Sequence, residues 1–531
     1  MEPLLAPSLW RCITDALSGA LALVWLLPAL PLFAALAISV RMAMGFRSVP
    51  MARSGDANDA NDMPGDAAEP ATASLARGSA IALLPLLVCF ALAAAGSEAR
   101  QTVVVGEWLA VEGVRVPLVF LCDATTLALA AAVAFIGWAT LHFSIAYLHR
   151  EPGFHRFFLG MCVFLGGMLL LVTAGDLVLA FVGWELCGIA SWLLIGYADT
   201  RPVATGNALF AFLANRIGDA GFLLAVALAY WWMGTAEWSA VASGAIPETV
   251  KARLLAFGLV SAALAKSAQL PFTPWIARAL EGPTASSAIF YGAVMVHAGV
   301  ILLVRAAPLL MQVPDLMAGL ALAGLATAIY AWLCGRVQTD VKSALVYATV
   351  THVGLMVLAC GLGFFTLAKV WLVLHALWRA WQFLMAPSYL LLAPKTLPLP
   401  RWLSGNAFLY TAALQRFWID RAAHGLLTRP TLALGRDVRE FDDRVLDRLL
   451  GKAAGRDGDA LIQGRGLAGR ALLRAADLLQ RFEDRLVLQG GGGAMGRLLQ
   501  RVGEALKIVE ALLEQPRYLM LMVMATFVVI L

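Results

Sequence analysis

"FVGWELCGIASWLLIGY", residues 181–197, has the composition of a membrane-crossing helix except at one position, Glu185. An acidic group at the centre of a span costs about 2.5–3.5 kcal/mol or more. A chain that keeps one there sets it against a neighbouring helix, a counter-charge or a water-filled cavity, so Glu185 is a functional candidate.

The rest of the chain supports a membrane setting. Its 531 residues are 60% hydrophobic and 14% charged, with mean hydropathy +0.77, which implies an all-α polytopic membrane protein. The net charge of +5 is small for this length and offers no basic surface for nucleic acid. The seven cysteines are scattered through apolar runs without a CxxC or Cys/His grouping, so they read as small buried hydrophobes. No metal or cofactor is called for. Without a nucleotide loop or a nucleophile–base set, the chain has no catalytic site of its own.

Stretches of about 20 apolar residues, enough to cross a bilayer, recur near 16–41, 77–95, 117–147, 157–175, 177–198, 206–233, 252–280, 286–307, 313–334, 340–363 and 366–392. A shorter one covers 518–531. That gives about 11–12 transmembrane helices in four parts. Residues 1–95 hold the first helices, with a disordered loop over 43–76 that includes the acidic, Ala-rich "RSGDANDANDMPGDAAEPATAS". The core follows over 96–392, an amphipathic helical tail over 393–515 and a terminal anchor over 516–531. The alternating "QTVVVGEWLAVEGVRVPLVF", 101–120, reads as a hairpin outside the bilayer. Arg and Lys in alternate loops put the N-terminus outside and the tail in the cytoplasm of a bacterial inner membrane. The tail's mixed charges suit a membrane surface, a partner, or simply a solvated linker.

Other buried charges accompany Glu185. Lys266 lies in "LVSAALAKSAQLPFTPW", where Pro271 and Pro274 must break the helix. Freed backbone groups are tolerated at membrane depth only beside protein or water, so Lys266 reads as lining a hydrated cavity. Snorkelling to the interface is the alternative. A Glu185–Lys266 pair would switch protonation as its separation changes. "ANRIGDAG" brings Arg216 and Asp219, either partners for Glu185 or interfacial anchors. In "WLVLHALWRAWQFL", His375 and Arg379 are four apart and share a helix face. His297 and His352 are the other intramembrane histidines. A row of histidines joined by water carries protons, whereas a single one also serves as a satisfied packing residue. Arg379 cannot readily lose a proton, but it can fix a field or bind an anion. Asp340 and Lys342 fit a solvated helix N-terminus.

"GWELCGIASWLLIGY", "NRIGD", "AKSAQLPFTPWIARALEGPTASSAI" and "QTDVKSALVYATVTHVG" together resemble the proton-conducting antiporter-type subunit shared by respiratory complex I (the NuoL type) and Mrp antiporters. The likeness covers about 100–392. It implies that Glu185 and Lys266 form the proton-handling pair, with Lys266 on a broken seventh helix. Two positions depart from the family: Arg379 stands where it has a lysine, and Tyr291 where it has a histidine. The apolar spans stop near 392, and a charged tail follows. This shortened form resembles the DabB-type membrane subunit of inorganic-carbon (CO2/bicarbonate) uptake complexes. That resemblance implies H+ or Na+ flow coupled to a DabA-like cytoplasmic zinc subunit akin to carbonic anhydrase. The alternatives are a proton-translocating subunit of a complex I-type quinone oxidoreductase or Mrp-type antiporter, and a non-transporting scaffold.

Overall fold

The computed structural model describes residues 19–44, 68–95, 102–111, 114–242, 249–392, 400–430, 432 and 433. The chain divides into two units, 1–424 and 425–531. The terminal anchor and nearly all of the second unit lie outside the described residues.

Eight helices among the described residues are long and apolar enough to cross a membrane. In chain order the helices that build the bundle are α1 (Leu26–Ala43), α2 (Glu69–Ala95), α3 (Ala124–Tyr147), α4 (Phe154–Thr173), α5 (Leu177–Ile195) and α6 (Pro202–Met233). Next come two interrupted crossings, α7 (Thr249–Lys266) with α8 (Pro274–Arg278), and α9 (Thr284–Ser287) with α10 (Ala298–Arg305). Three long helices close the set: α11 (Pro314–Arg336), α12 (Val341–Gly361) and α13 (Phe365–Leu392). The protein is an all-α polytopic membrane protein.

Between α2 and α3 the expected hairpin is present, with β1 (Thr102–Val111) antiparallel to β2 (Val114–Leu121). It docks on one face of the bundle, where Gly175 N donates to Val119 O at 2.7 Å. On the same face Arg305, ending α10, pairs with Asp123 at 2.9 Å. Asp123 caps α3 by accepting from Thr126 N at 2.7 Å.

Three local differences from the sequence-based expectations have physical causes. Helix α2 starts at Glu69 rather than 77, so the last residues of the loop expected over 43–76 are helical. Glu69 explains the early start. It is buried, and its carboxylate accepts from Arg150 N at 3.1 Å and pairs with His149 at 2.7 Å, which ties the new turn to the α3–α4 connection. The eighth span, expected to be continuous, is interrupted by a π-turn over Ala288–Ala293 before α10 begins. Finally, the start of the expected amphipathic tail packs on the bundle. Leu403 and Ala413 bury against Val337, and Trp402 stacks on Trp332 with ring centroids 5.5 Å apart.

The helices that carry the buried charges meet through small residues, as membrane helices do when van der Waals contact replaces the hydrophobic drive. A Cβ placed on Gly258 of α7 would lie 2.5 Å from Gly221 O of α6. The backbones touch there, so α7 is pressed against the helix that carries Arg216 and Asp219. Gly258→Val is expected to force α6 and α7 apart and cost about 1–3 kcal/mol, read as a lower unfolding midpoint in detergent. An unchanged midpoint would mean that this contact does not hold the two helices together.

Candidate ion-translocation site

The seventh crossing breaks where the prolines require. Helix α7 ends at Lys266, Ala268 is left-handed (φ 50°), and α8 begins at Pro274. The freed backbone groups find local partners. Trp275 Nε1 donates to Ala265 O at 2.9 Å, and Leu270 N donates to Thr327 Oγ1 at 3.0 Å. The break is thereby satisfied without unwinding the rest of the crossing.

Lys266 is 1% exposed. Its Nζ donates to Trp184 O at 3.3 Å and sits 4.7 Å from the centre of the Trp184 ring, a carbonyl and a π-face on the helix of Glu185. Glu185 itself forms an ion pair with Arg216 across α5 and α6. Arg216 Nη2 is also 2.7 Å from Asp219 Oδ2, and Asp219 accepts from the Trp184 indole at 2.5 Å. Gly188, one turn beyond Trp184, makes room for both cations. A Cβ there would lie 3.0 Å from Arg216 Nη2 and 3.4 Å from Lys266 Nζ. Two carboxylates and two cations thus share one small volume, and Glu185 Oε1 has no hydrogen-bond partner. Of the two cations that the sequence offers Glu185, Arg216 makes the ion pair, and Lys266 rests against Trp184.

The histidines form a second cluster. His297 Nε2 is 2.9 Å from His375 Nδ1, Arg379 Nε donates to His375 Nε2 at 3.3 Å, and the His352 ring stacks on His375 with centroids 4.9 Å apart. A guanidinium only donates. His375 therefore accepts at Nε2, which makes Nδ1 its protonated nitrogen and the donor to His297, an assignment drawn from donor logic rather than from seen hydrogens. The chain of bonds has one direction: Arg379 to His375 to His297. Tyr291 is buried nearby, 6.1 Å from the Phe383 ring, with its hydroxyl unpartnered.

The two clusters meet where both crossings are interrupted. Ser267 Oγ donates to Val296 O at 2.8 Å, which puts Lys266 and His297 one residue either side of a direct bond between α7 and the start of α10. Gln269, fully buried between them in sequence, leaves its Oε1 unpartnered. Glu185, Lys266, Arg216 and Asp219 thus come together as one group, and His297, His352, His375 and Arg379 as another. Asp340 caps α12 by accepting from Ser343 N at 2.8 Å, and Lys342 donates to Thr284 Oγ1 at 2.5 Å, so neither joins these groups. Sequence reasoning did not single out Trp184, Gly188, Ser267 or Gln269. The four-residue step from Trp184 to Gly188 was the available signal for the first two.

Two interrupted crossings thus meet at buried acids, bases and histidines, and known proteins share the sequence that builds them. Residues 174–395 match the family described as NADH:quinone oxidoreductase/Mrp antiporter, TM, and residues 108–158 match NADH-Ubiquinone oxidoreductase (complex I), chain 5 N-terminus. NADH-quinone oxidoreductase subunit L of Mycobacterium tuberculosis is 37% identical over 281 residues, 52% of this chain and 44% of that protein. NADH-ubiquinone oxidoreductase chain 5 of Schizophyllum commune is 35% identical over 288 residues, 53% of this chain and 41% of that one. Among solved structures, the Mrp complex from Dietzia aligns with TM-score 0.53 at 29% identity, covering 60% of this chain and 35% of that one. The archaeal membrane-bound sulfane sulfur reductase shares the fold at TM-score 0.57 and 17% identity, covering 76% of this chain and 87% of that one. Residues 108–158 and 174–395 are thus similar to the antiporter-type subunits of complex I and Mrp assemblies. The chain spans less than half the length of these two curated relatives.

On the hairpin face, burial would raise the Asp123 carboxyl, but the Arg305 guanidinium and the Thr126 N–H outweigh it and hold it at about 2. A depressed carboxyl stabilises the fold above its unfolded value of 3.8 and loses that contribution as pH falls toward 2. The shift corresponds to about 2 kcal/mol. Asp123→Asn, which keeps the cap acceptor, is expected to melt below wild type at pH 7, with the gap closing below pH 4. A gap independent of pH would exclude the ion pair as its source.

Proposed function

We propose that this chain is the proton-translocating, antiporter-like subunit of a complex I-type or Mrp-type assembly in a bacterial inner membrane. The observation that carries this reading is Lys266, a fully buried amine at the end of a broken helix, facing an acid–base set with a spare carboxylate oxygen.

Glu185 has two cations within electrostatic reach, Arg216 and Lys266. Arg216 keeps its charge throughout, so the exchangeable protons belong to Lys266 and Glu185. When Glu185 stays with Arg216, Lys266 lacks a direct counter-ion and is poised to release its proton toward His297. When Glu185 turns to Lys266, Arg216 keeps Asp219 as its counter-charge, and the amine gains one of its own. Trp184 holds Asp219 and Lys266 at fixed separation while this exchange runs. The unpartnered Gln269 Oε1 and Tyr291 hydroxyl are the kind of buried polar atoms that ordered water satisfies, which would complete a relay from Lys266 to the histidines. His297, one residue from the Ser267–Val296 bond, receives the proton, and Arg379, by donating to His375 Nε2, fixes the tautomer of its neighbour.

The relatives are of complex I and Mrp type, which supports this reading over the inorganic-carbon one. A CO2/bicarbonate uptake subunit remains the second reading. It rests on Arg379 in place of the family lysine and on the charged sequence after residue 395, which would hold a DabA-like zinc subunit. The proteins that co-purify with the chain separate the two: quinone-oxidoreductase or Mrp subunits in one case, a soluble zinc protein in the other.

The transport reading is tested in proteoliposomes holding the purified complex. Lys266→Met and Glu185→Gln are each expected to lower proton flux at least about tenfold, equivalent to about 1.4 kcal/mol of barrier, with assembly intact. Full flux in both would leave the buried charges a purely structural role.

A further inference from the structure

Arg379 is the one arginine that is buried among the described residues. The half-buried Arg216 and Arg305 pair with Glu185 and Asp123, whereas both hydrogen-bond partners of Arg379 are neutral. Its Nε donates to His375 Nε2 at 3.3 Å and its Nη1 donates to Gln382 Oε1 at 2.8 Å. Among the described residues, no carboxylate lies within ion-pair distance of it. Yet it is only 7% exposed. Two of its five N–H donors are used by these bonds, and the rest keep their capacity.

Its depth narrows the choice of counter-ion. Arg379 lies fourteen residues past Phe365 in the 28-residue helix α13, about 21 Å along the axis. Lipid phosphates sit at the ends of such a helix, far from its midpoint. The surroundings supply donors rather than negative charge. His352 stacks on His375 with its Nδ1 buried and unpartnered, and the Gln382 amide nitrogen is available beside its bonded oxygen. A buried, permanently charged fork among neutral donors calls for a negative ligand small enough to enter the bundle.

We propose that Arg379, with His352 and Gln382 beside it, binds a small monovalent anion, a halide or a planar oxyanion. The site goes beyond the proton path. There the family lysine would exchange a proton, whereas here the arginine cannot, and an exchangeable anion becomes the means of changing the local charge.

The test uses the full-length chain in detergent at constant ionic strength, with gluconate replaced stepwise by chloride, bromide or nitrate. The unfolding midpoint is expected to rise saturably with each small anion. Arg379→Gln should lose that rise, and Arg379→Lys should keep a weaker one. Gln382→Leu, which leaves the charge in place, should raise the half-saturating concentration roughly tenfold, the worth of one hydrogen bond to a charged group. Bromide should give an anomalous peak beside the guanidinium in crystals. A midpoint indifferent to anion identity, an equal rise in Arg379→Gln, or a partner carboxylate seated at Arg379 in an assembled complex would each overturn the proposal. Proton flux through Lys266 is measured separately, so either idea can fail while the other stands.

Discussion

A charge buried in hydrocarbon needs either a counter-charge or water, and the centre of this protein is organised by that requirement. Around Gly188, four ionisable side chains from three helices are packed so that their charges cancel: Glu185 from α5, Arg216 and Asp219 from α6, and Lys266 from α7. Trp184 binds the arrangement through three of its parts at once: indole N–H, ring and backbone carbonyl. The close approach of Gly221 to Gly258 brings the helices near enough for this to happen. Cancellation of this kind is fragile in a useful way. Any one proton gained or lost leaves the others mismatched, and side chains rather than helices can move to restore balance.

The interrupted crossings serve the same end. Stopping α7 at Lys266 and delaying α10 until Ala298 lays two stretches of irregular backbone side by side in the middle of the bundle. Each interruption is paid for locally, by the Trp275 indole and Thr327 hydroxyl in one case and by Ser267 reaching Val296 in the other. The charged group and the histidine group therefore lie next to each other although more than a hundred residues separate Glu185 from His297 and His375. A carbonyl or hydroxyl left over at such a junction attracts water, and water is what a proton needs between fixed side chains.

Much of this was legible in the sequence, and the parts that were share a property. Glu185 and Lys266 stand out because a charge in an apolar run has a large energetic cost, and Pro271 with Pro274 announces a break by covalent geometry. The hairpin announces itself by alternation. The pairing of Glu185 was not legible, because Arg216 and Lys266 are equally suitable partners and only packing decides between them. The π-turn over Ala288–Ala293 was likewise hidden, since "AIFYGA" contains no proline and the segment packs against α13, a contact that sequence does not announce. Glu69 illustrates the reverse case. In a loop that reads as disordered, one carboxylate finds His149 and the Arg150 amide, and the helix begins there.

The proposed exchange requires the protons of Glu185 and Lys266 to be linked, although their side chains rest apart. Infrared difference spectra during acid titration address that linkage directly, with the Glu185 signal isolated by subtracting Glu185→Gln. The expected result is a carboxyl band for Glu185 whose titration midpoint moves when Lys266 is replaced by Met. A Glu185 band that titrates identically in both backgrounds would contradict the linkage and with it the proposed exchange.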